Sequence, residues 1–275
     1  MSKKLNRMNI PVFIILLIGS LVMIFPFVWM ILSSFKTVAD VYAYPPKWLP
    51  SSWEFHNYIQ VFKMIPFGLY YFNSIYTSVM QTLLQIFLSV TAAYALVVLD
   101  FPGKKFLLSL VRSTMFVPTV VTLIPMYLMV SKAHLIDTYA GIILPQIFAA
   151  FTIFLLVSFF VAIPRDLYDS AKLDGCGYYR ILQKVVVPNS KSAISTAVLF
   201  SFLGHWKSYT WPLIVTNKTQ YRTLPIGMKY LVQESSSEYQ VMMAAAVMAI
   251  LPVLIVFVFF EKQLVRSITL TGMKA

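Results

Sequence analysis

Charged side chains are scarce in this chain of 275 residues. They make up 12% of the sequence, and only ten of them are acidic, whereas soluble globular proteins have about 25% charged residues. Hydrophobic residues make up 59% of the chain, and its mean hydropathy is +0.76. This composition excludes an ordinary soluble domain and predicts an integral membrane protein.

Groups that commonly carry catalysis or hold metals are also missing. Cys176 is the only cysteine, so we expect neither a disulfide framework nor a cysteine metal cluster. The three histidines, His56, His134 and His205, are isolated from one another and from carboxylate pairs. The G-x-x-x-x-G-K-[ST], H-E-x-x-H and G-x-S-x-G motifs do not occur. The sequence therefore predicts no catalytic residue and no metal site in this chain.

Polar groups within the long apolar runs are few. Acidic residues are absent from these runs, and Lys207 is the only charge well inside one. Because proton-driven carriers usually keep Asp, Glu or His at membrane depth, energy for uphill transport would have to come from another subunit. Asn73, Gln81 and Gln85 recur at near-helical spacing, which predicts hydrogen bonds between helices.

Long apolar runs, by contrast, are abundant. A helix that crosses a bilayer needs about 20 predominantly apolar residues, and spans form helices because lipid offers no partner to backbone groups. The predicted fold is all-α and integral to the membrane, with six transmembrane helices in one domain over residues 1–275. The predicted spans are about 10–35, 69–99, 108–131, 138–163, 192–216 and 239–260.

Basic residues are distributed unevenly around these spans. With the N-terminus inside, 14 Lys and Arg residues face the cytoplasm and 7 lie outside. This two-to-one bias follows the positive-inside rule, and it explains the net charge of +12 without a nucleic-acid partner. Ile10 to Leu32 is longer than a signal-peptide core of roughly 7–15 residues. We therefore expect a first span there and both termini in the cytoplasm.

Two local patterns predict further detail. Pro118 and Pro125 lie two turns apart in one span and favour a helix that bends around a cavity. In the segment after the first span, Ser51 and Glu54 have capping-box spacing, which predicts a short helix over about 52–62.

A polar island at 164–191 separates two charge-free apolar runs. The pattern predicts an amphipathic helix over 165–173, a turn with positive φ at Gly175, and a second helix over about 178–187 that stops at Pro188. The apolar side of the first helix comprises Leu167, Ala171 and Leu173. This helix–turn–helix suits docking into the groove of a soluble partner, and a simple connecting hairpin explains it equally well.

The stretch Asp169-Ser-Ala-Lys-Leu-Asp-Gly175, with a proline thirteen residues later, resembles the EAA loop of ABC importer permeases. The usual form of that loop is Glu-Ala-Ala-x-x-x-Gly, often with Asp before the Gly. Asp169 stands for the Glu and keeps its charge, while Ser170 stands for the first Ala. The positions that match are Ala171, Asp174, Gly175 and Pro188.

Other stretches resemble the maltose-type carbohydrate permeases, so the resemblance covers nearly the whole chain. They are Phe101-Pro-Gly103, Leu144-Pro145, Trp211-Pro-Leu213, Arg222-Thr-Leu-Pro225-Ile-Gly227 and Gly272-Met-Lys274. One stretch departs from the family pattern. Trp-Asn-(Asp/Glu/Gln)-x-x-Trp-Pro is usual there, and this chain has Trp206-Lys-Ser-Tyr-Thr-Trp211-Pro212.

The resemblance implies a permease subunit of an ATP-driven, binding-protein-dependent importer of sugars in a bacterial or archaeal cell (inner) membrane. The expected ATPase-coupling residues are Asp169, Ser170, Ala171, Asp174, Gly175 and Pro188. Arg266 and Lys274 are expected to add contacts from the cytoplasmic tail, although a solvated basic tail explains them equally well. The candidate pathway residues are Trp206, Lys207, Tyr209 and Trp211. An aromatic interface belt explains the three aromatic ones about as well.

The resemblance also implies partners. They are a second permease subunit, expected to be a different chain, two ATPase subunits and an extracytoplasmic solute-binding protein. We expect this chain to bind no cofactor, with ATP and Mg held by the ATPase subunits. Two alternatives stay open: the same fold importing a non-sugar solute such as a glycerol phosphodiester or a peptide, and a stand-alone carrier. Lys207 would favour an anionic solute.

Overall fold

Every regular element is helical in residues 10–234 and 238–272, which the structure describes. The structure is a computed structural model, with side chains described as far as Lys262. The helices are α1 (Ile10–Ser34), α2 (Val38–Val41), α3 (His56–Met64), α4 (Phe67–Val98), α5 (Lys104–Thr114), α6 (Thr119–Lys132), α7 (Tyr139–Ile143), α8 (Ala150–Val161), α9 (Arg165–Leu173), α10 (Tyr178–Ile181), α11 (Val187–Asn189), α12 (Lys191–Trp206), α13 (Thr210–Val215), α14 (Leu224–Glu234) and α15 (Tyr239–Gly272). Short 3-10 turns lie at Leu144–Gln146 and Thr219–Tyr221, and a π turn lies at Leu182–Val186.

Three helices are each long and apolar enough to cross a membrane: α1, α4 and Tyr239–Lys262 of α15. Two pairs qualify when each pair is taken as one bent span. They are α5 with α6, bent by 105°, and Tyr139–Gln146 with α8, bent by 44°. The chain is therefore all-α in its described part, with three to five candidate spans. The fifth predicted span, 192–216, is divided between α12 and the six residues of α13.

The chain falls into two compact units, Met1–Phe67 with Gly227–Ile250 and Gly68–Ile226 with Leu251–Ala275. The first unit contains a buried polar turn directly after α1. The carboxylate of Asp40 accepts hydrogen bonds from Lys47 Nζ at 2.7 Å and from the backbone N–H and Oγ of Ser51, each at 2.8 Å. Because these bonds join residues up to eleven positions apart, one buried carboxylate fixes a proline-rich segment that has little regular structure of its own.

The capping box predicted at Ser51 and Glu54 is wrong. Ser51 is engaged by the carboxylate of Asp40, and Glu54 accepts a bond from Ser52 Oγ at 2.7 Å. The helix begins only at His56 and has no side-chain cap. The hydroxyl of Ser51, which the local pattern assigned to the helix end, therefore bonds to the carboxylate of Asp40, which is distant in sequence.

The core of the second unit is centred on α8, which packs against α5 and α12. Its buried apolar side chains follow the i, i+3, i+4, i+7 spacing of a single helix face. They are Ile153, Leu156, Val157 and Phe160. The same core contains Ala93 of α4 and Ala197 of α12, at most 1% exposed. Small residues of this kind let helix backbones approach closely.

The Asp40 turn predicts a pH dependence of stability. Hydrogen bonds from Lys47 and Ser51 hold the pKa of Asp40 well below its usual range. A carboxyl with a depressed folded-state pKa stabilises the fold above its unfolded pKa of about 3.9, and the contribution is lost as pH falls toward the folded value. We expect Asp40→Asn to lower the thermal unfolding midpoint at pH 7, with the difference from wild type narrowing progressively below about pH 5.

The control for this prediction is Asp100→Asn, since the Asp100 side chain is fully exposed and its nearest cation, Lys104 Nζ, is 3.5 Å away. That variant is expected to unfold like wild type at every pH. A gap between Asp40→Asn and wild type that stays constant from pH 7 to pH 3 would contradict the account.

Candidate functional site

Three predicted spans of the second unit are interrupted. The first break, at 115–118, follows from Pro118, which has no N–H and disfavours helical backbone in the residue before it. Pro118 is extended, with φ −60° and ψ 133°, and α6 starts after it. The second break is at 147–149, where Ala149 is extended with φ −136° and ψ 103°. The third break, at 207–209, separates α12 from α13.

Residues within or directly beside the three breaks line one cavity of about 490 Å³. That volume is typical of small-molecule sites. The polar side chains that line it are Thr119, Thr122, Gln146, Ser208, Tyr209 and Thr210, and the aromatic ones besides Tyr209 are Phe148 and Trp211. Among the described residues that line the cavity, none is charged. Neutral hydrogen-bonding groups beside aromatic faces can hold a neutral, hydroxyl-rich solute.

Two of the four predicted pathway residues, Tyr209 and Trp211, line this cavity. Trp211 is only 3% exposed, and its indole N–H lies 3.2 Å from the carbonyls of Gly141 and Ile142. The ring is thereby fixed against α7. Tyr209 is half-buried and lies directly before α13.

The other two predicted pathway residues, Trp206 and Lys207, are not among the residues that line the cavity. Trp206 is 7% exposed and packs against Tyr71 and Phe202, with ring centroids 5.8 and 5.9 Å away. Lys207 is exposed at the end of α12. The structure thus gives Trp206 a packing role and gives Lys207 no place in the cavity wall.

Thr119 and Gln146 line the cavity and were not predicted from the sequence. A hydroxyl or an amide within an apolar run has no signature of its own. The available signal was the position of Pro118 and Pro145, since polar residues beside a helix break lie where backbone groups are freed.

The amide side chains of α4 connect that helix to other segments of the second unit. Gln81 and Gln85 reach other helices, as their spacing predicts, and Asn73 reaches the segment before α14. Asn73 donates to the carbonyls of Gln220 and Arg222 at 2.9 and 2.8 Å. Gln81 donates to the carbonyl of Ile142 at 2.9 Å. These bonds are made by side chains at most 3% exposed, so they fix the position of α4 against its neighbours.

Gln85 forms the densest part of this polar network. Its amide nitrogen donates to Thr152 Oγ1 of α8 at 2.9 Å and to Ser201 Oγ of α12 at 2.7 Å. Its amide oxygen lies 2.7 Å from His205 Nε2. Since an amide oxygen only accepts, His205 Nε2 is the donor in this contact. One glutamine therefore joins three helices, two of which are interrupted at the cavity.

The polar island contains the second candidate site. Its helix α9 ends in a Schellman motif, with the N–H of Cys176 bonded to the carbonyl of Ala171 at 2.9 Å and that of Gly175 to Lys172 at 3.0 Å. The motif needs a left-handed residue after the helix, and Gly175 has φ +74°. A Cβ at Gly175 would meet no neighbour within 4 Å, so glycine is needed there for backbone conformation alone.

The two faces of α9 differ. Tyr168 and Ala171 are 7% and 8% exposed and belong to the core formed with α4 and α8. Four of the predicted coupling residues lie on the other side of α9 or in the turn after it and are exposed: Asp169, Ser170, Asp174 and Gly175. Burial raises the pKa of the Tyr168 hydroxyl, which lies 3.3 Å from the carbonyl of Phe160.

The apolar side predicted for α9 is wrong. Ala171 packs inward against the core of its own unit, whereas Leu167 and Leu173 are 42% and 90% exposed. Tyr168 is also buried on this side of α9, although it was not part of the predicted apolar side. Ala171 therefore anchors the helix, and the two leucines lie on the surface that a partner can reach.

Pro188 does not stop the second helix of the island. The helical run continues through it to Asn189, after the π turn at Leu182–Val186. A π turn widens the helix, which gives the proline ring room beside the preceding turn. Asn189 Nδ2 donates to the carbonyl of Val185 at 2.7 Å. Pro188 itself is exposed.

Two predicted contacts lie outside what the structure describes. Lys274 is beyond the described residues, and the side chain of Arg266 is not described. Within the described part, no group of three or more His, Cys, Asp and Glu residues could hold a metal ion.

Comparison with known proteins places this architecture in a family. Residues 85–270 match the family described as binding-protein-dependent transport system inner membrane component. The arabinooligosaccharides transport system permease protein of Bacillus subtilis is 35% identical over 227 residues, covering 82% of this chain and 80% of that protein. The sn-glycerol-3-phosphate transport system permease protein of Brucella abortus is 28% identical, covering 94% of this chain and 95% of that protein.

A solved structure agrees over almost the whole chain. It is a crystal structure of a bacterial ABC transporter involved in the import of the acidic polysaccharide alginate. One chain of it superposes with a TM-score of 0.81 and 25% identity, covering 95% of this chain and 98% of its own length. The interrupted helices, the exposed island and these matches lead to one conclusion: this chain belongs to the binding-protein-dependent transport system inner membrane components.

Proposed function

We propose that this chain is the permease subunit of an ATP-driven, binding-protein-dependent sugar importer and forms half of its translocation pathway. The observation that carries the proposal is the cavity at the three helix breaks, with its neutral hydrogen-bonding and aromatic lining. In membrane transporters, interrupted helices commonly surround the solute site. The proposed pathway residues are Tyr209 and Trp211, together with Gln146 and Thr119.

The solute is a neutral carbohydrate. The relative from Bacillus subtilis is named for arabinooligosaccharides, and the one from Brucella abortus for sn-glycerol-3-phosphate. A phosphate ester would need cations near its path, because a buried charge is costly unless it is paired. The described lining offers neutral groups only, and Lys207 is not part of it. The cavity therefore favours the oligosaccharide over the glycerol ester.

The membrane arrangement follows the sequence pattern. We propose six spans, at about 10–35, 69–99, 108–131, 138–163, 192–216 and 239–260, with both termini in the cytoplasm of a bacterial or archaeal cell. The fifth span is then α12 and α13 separated by a break, like the two bent pairs. With this topology the island at 164–191 faces the cytoplasm.

The island is the coupling loop to an ATPase subunit. Its docking surface is the exposed side of α9, with Asp169, Ser170, Asp174 and Gly175, while Ala171 holds the helix to the permease core and Pro188 lies on the exposed part of the second helix. The partners are two ATPase subunits that hold ATP and Mg, a second and different permease chain, and an extracytoplasmic solute-binding protein. Arg266 and Lys274 add contacts from the tail.

Transport then follows from differential affinity. ATP bound to the ATPase pair and loaded binding protein each favour the outward-facing state, so both shift the population toward it. The rigid end of α9, set by its Schellman motif, carries the ATPase movement into the core shared by α4 and α8. Hydrolysis returns the system to the inward-facing state and releases the sugar.

The cavity proposal predicts a defect in substrate handling. Gln146→Ala removes a hydrogen-bonding group from the lining, and Tyr209→Ala removes an aromatic face. Since one such bond to a bound solute contributes about 1.4 kcal/mol, uptake by proteoliposomes should need about tenfold more sugar-loaded binding protein for half-maximal rate. The matched control is Ser158→Ala, whose hydroxyl bonds to its own helix at the carbonyl of Phe154. Wild-type concentration dependence in both cavity variants would refute the assignment.

The coupling proposal predicts loss of transport without loss of the protein. Gly175→Pro cannot adopt φ +74° and removes an N–H of the Schellman motif, and Asp169→Lys reverses an exposed charge that is 67% accessible. Both variants should insert normally but lose at least about tenfold in ATP-driven uptake and in ATPase co-purification. Gly177→Ala is the control, because Gly177 has φ −70° and open space around it. Unchanged uptake in both variants would show that the island does not dock the ATPase subunit.

A further inference from the structure

A buried lysine lies beside a small cavity at the end of α1. Lys36 is 1% exposed. Its Nζ donates to the carbonyl of Lys47 at 2.8 Å and lies 3.8 Å from the ring centroid of Trp29. In the described part of the chain, no carboxylate oxygen lies within 4 Å of Lys36 Nζ. One carbonyl and one aromatic face do not neutralise the ammonium, and a buried charge is costly unless an opposite charge pairs with it.

The nearest carboxylate is already engaged. Asp40 accepts from Lys47 and Ser51 through its two oxygens. Burial lowers the pKa of the Lys36 ammonium, and Asp40 offsets this only in part. With two ammonium groups and one carboxylate, the cluster carries a net charge of +1, located at Lys36.

The cavity beside this charge has room for an anionic group. Its volume is about 150 Å³, the space of roughly five water molecules. Ser33, Lys36 and Lys47 line it together with Asp40, whose two oxygens already accept from Lys47 and Ser51. The other lining residues are Trp29, Val41, Pro46, Tyr239 and Met243. Lys36 has three N–H donors and gives one of them to Lys47, while Lys47 gives two of its own to Asp40 and Ser51. Donors therefore remain on both lysines.

The end of α1 and an exposed tryptophan place this cavity near the expected membrane–water interface, where lipid headgroups lie. It is located where α1 ends at Ser34, and α1 exposes apolar side chains along its length, such as Phe25 at 50%. Trp48 is 62% exposed and packs on Trp29 with ring centroids 5.5 Å apart. Exposed tryptophan beside the end of a span is typical of the membrane–water interface.

We propose that this cavity binds a phosphate group through Lys36, with Lys47 and Ser33 at its edge. The phosphate group belongs either to the headgroup of an anionic phospholipid lying along α1 or to free inorganic phosphate. Binding compensates the buried charge of Lys36 and holds the segment after α1 in place. This site is separate from the sugar cavity and carries no part of the solute path.

The test measures the thermal unfolding midpoint of the purified full chain in mild detergent. The probes are phosphatidylglycerol, compared with diacylglycerol of the same acyl chains, and inorganic phosphate, compared with sodium chloride at equal ionic strength. We expect phosphatidylglycerol to raise the midpoint by about 2–4 °C over its control. Lys36→Met should abolish the rise, Lys36→Arg should keep it, and Ser33→Ala should reduce it.

Lys63→Met is the matched control, since Lys63 is an exposed lysine on α3 of the same unit. It should respond like wild type. A response to phosphatidylglycerol alone assigns the site to a lipid, and an equal response to inorganic phosphate assigns it to the free ion. The proposal is wrong, and the cavity holds only water, if neither probe raises the unfolding midpoint above that of its control. The same conclusion follows if the midpoint of Lys36→Met rises like that of wild type. The ligand-dependent rise is the readout, because removing a buried charge can itself change stability.

Discussion

Lipid offers no hydrogen-bond partner to a backbone, and the rest of this structure depends on that constraint. An uninterrupted helix satisfies the constraint internally, as α1 does over 25 residues. An interrupted helix satisfies it only where its freed groups are buried in protein or face a polar cavity. The breaks at 115–118, 147–149 and 207–209 all adjoin one cavity. We therefore regard the breaks and the cavity as a single device for carrying a hydroxyl-rich solute through an apolar medium.

The polar network on α4 supports that device. Interrupted helices lose backbone hydrogen bonds and with them part of their stiffness, so they need external support. Gln81 and Gln85 provide it by bonding to the segments on either side of the breaks. The same second unit holds α9 through Tyr168 and Ala171. In the proposed coupling, these packed side chains would pass a displacement of α9 into α4 and α8.

Much of this arrangement could be predicted from local pattern. The bounds of α1 and α4 lie within two residues of the predicted spans, since apolar runs of that length have one solution in lipid. Gly175 was predictable because few residues other than glycine adopt its backbone. The position of the break at 147–149 was not predictable, since Pro145, the one local breaker nearby, lies within the 3-10 turn before it. Ser51 was misassigned because its hydrogen-bond partner, Asp40, is distant in sequence. Leu173 was misassigned because its exposure depends on how α9 packs against helices distant in sequence.

The central claim is that this chain moves sugar only when an ATPase drives it. The most direct measurement is uptake of labelled neutral oligosaccharides into proteoliposomes, with the complex that co-purifies with the chain compared with the chain alone. The account predicts ATPase and second permease subunits in the complex, and uptake that requires both ATP and loaded binding protein. Uptake by the chain alone without ATP would contradict the account and establish a stand-alone carrier.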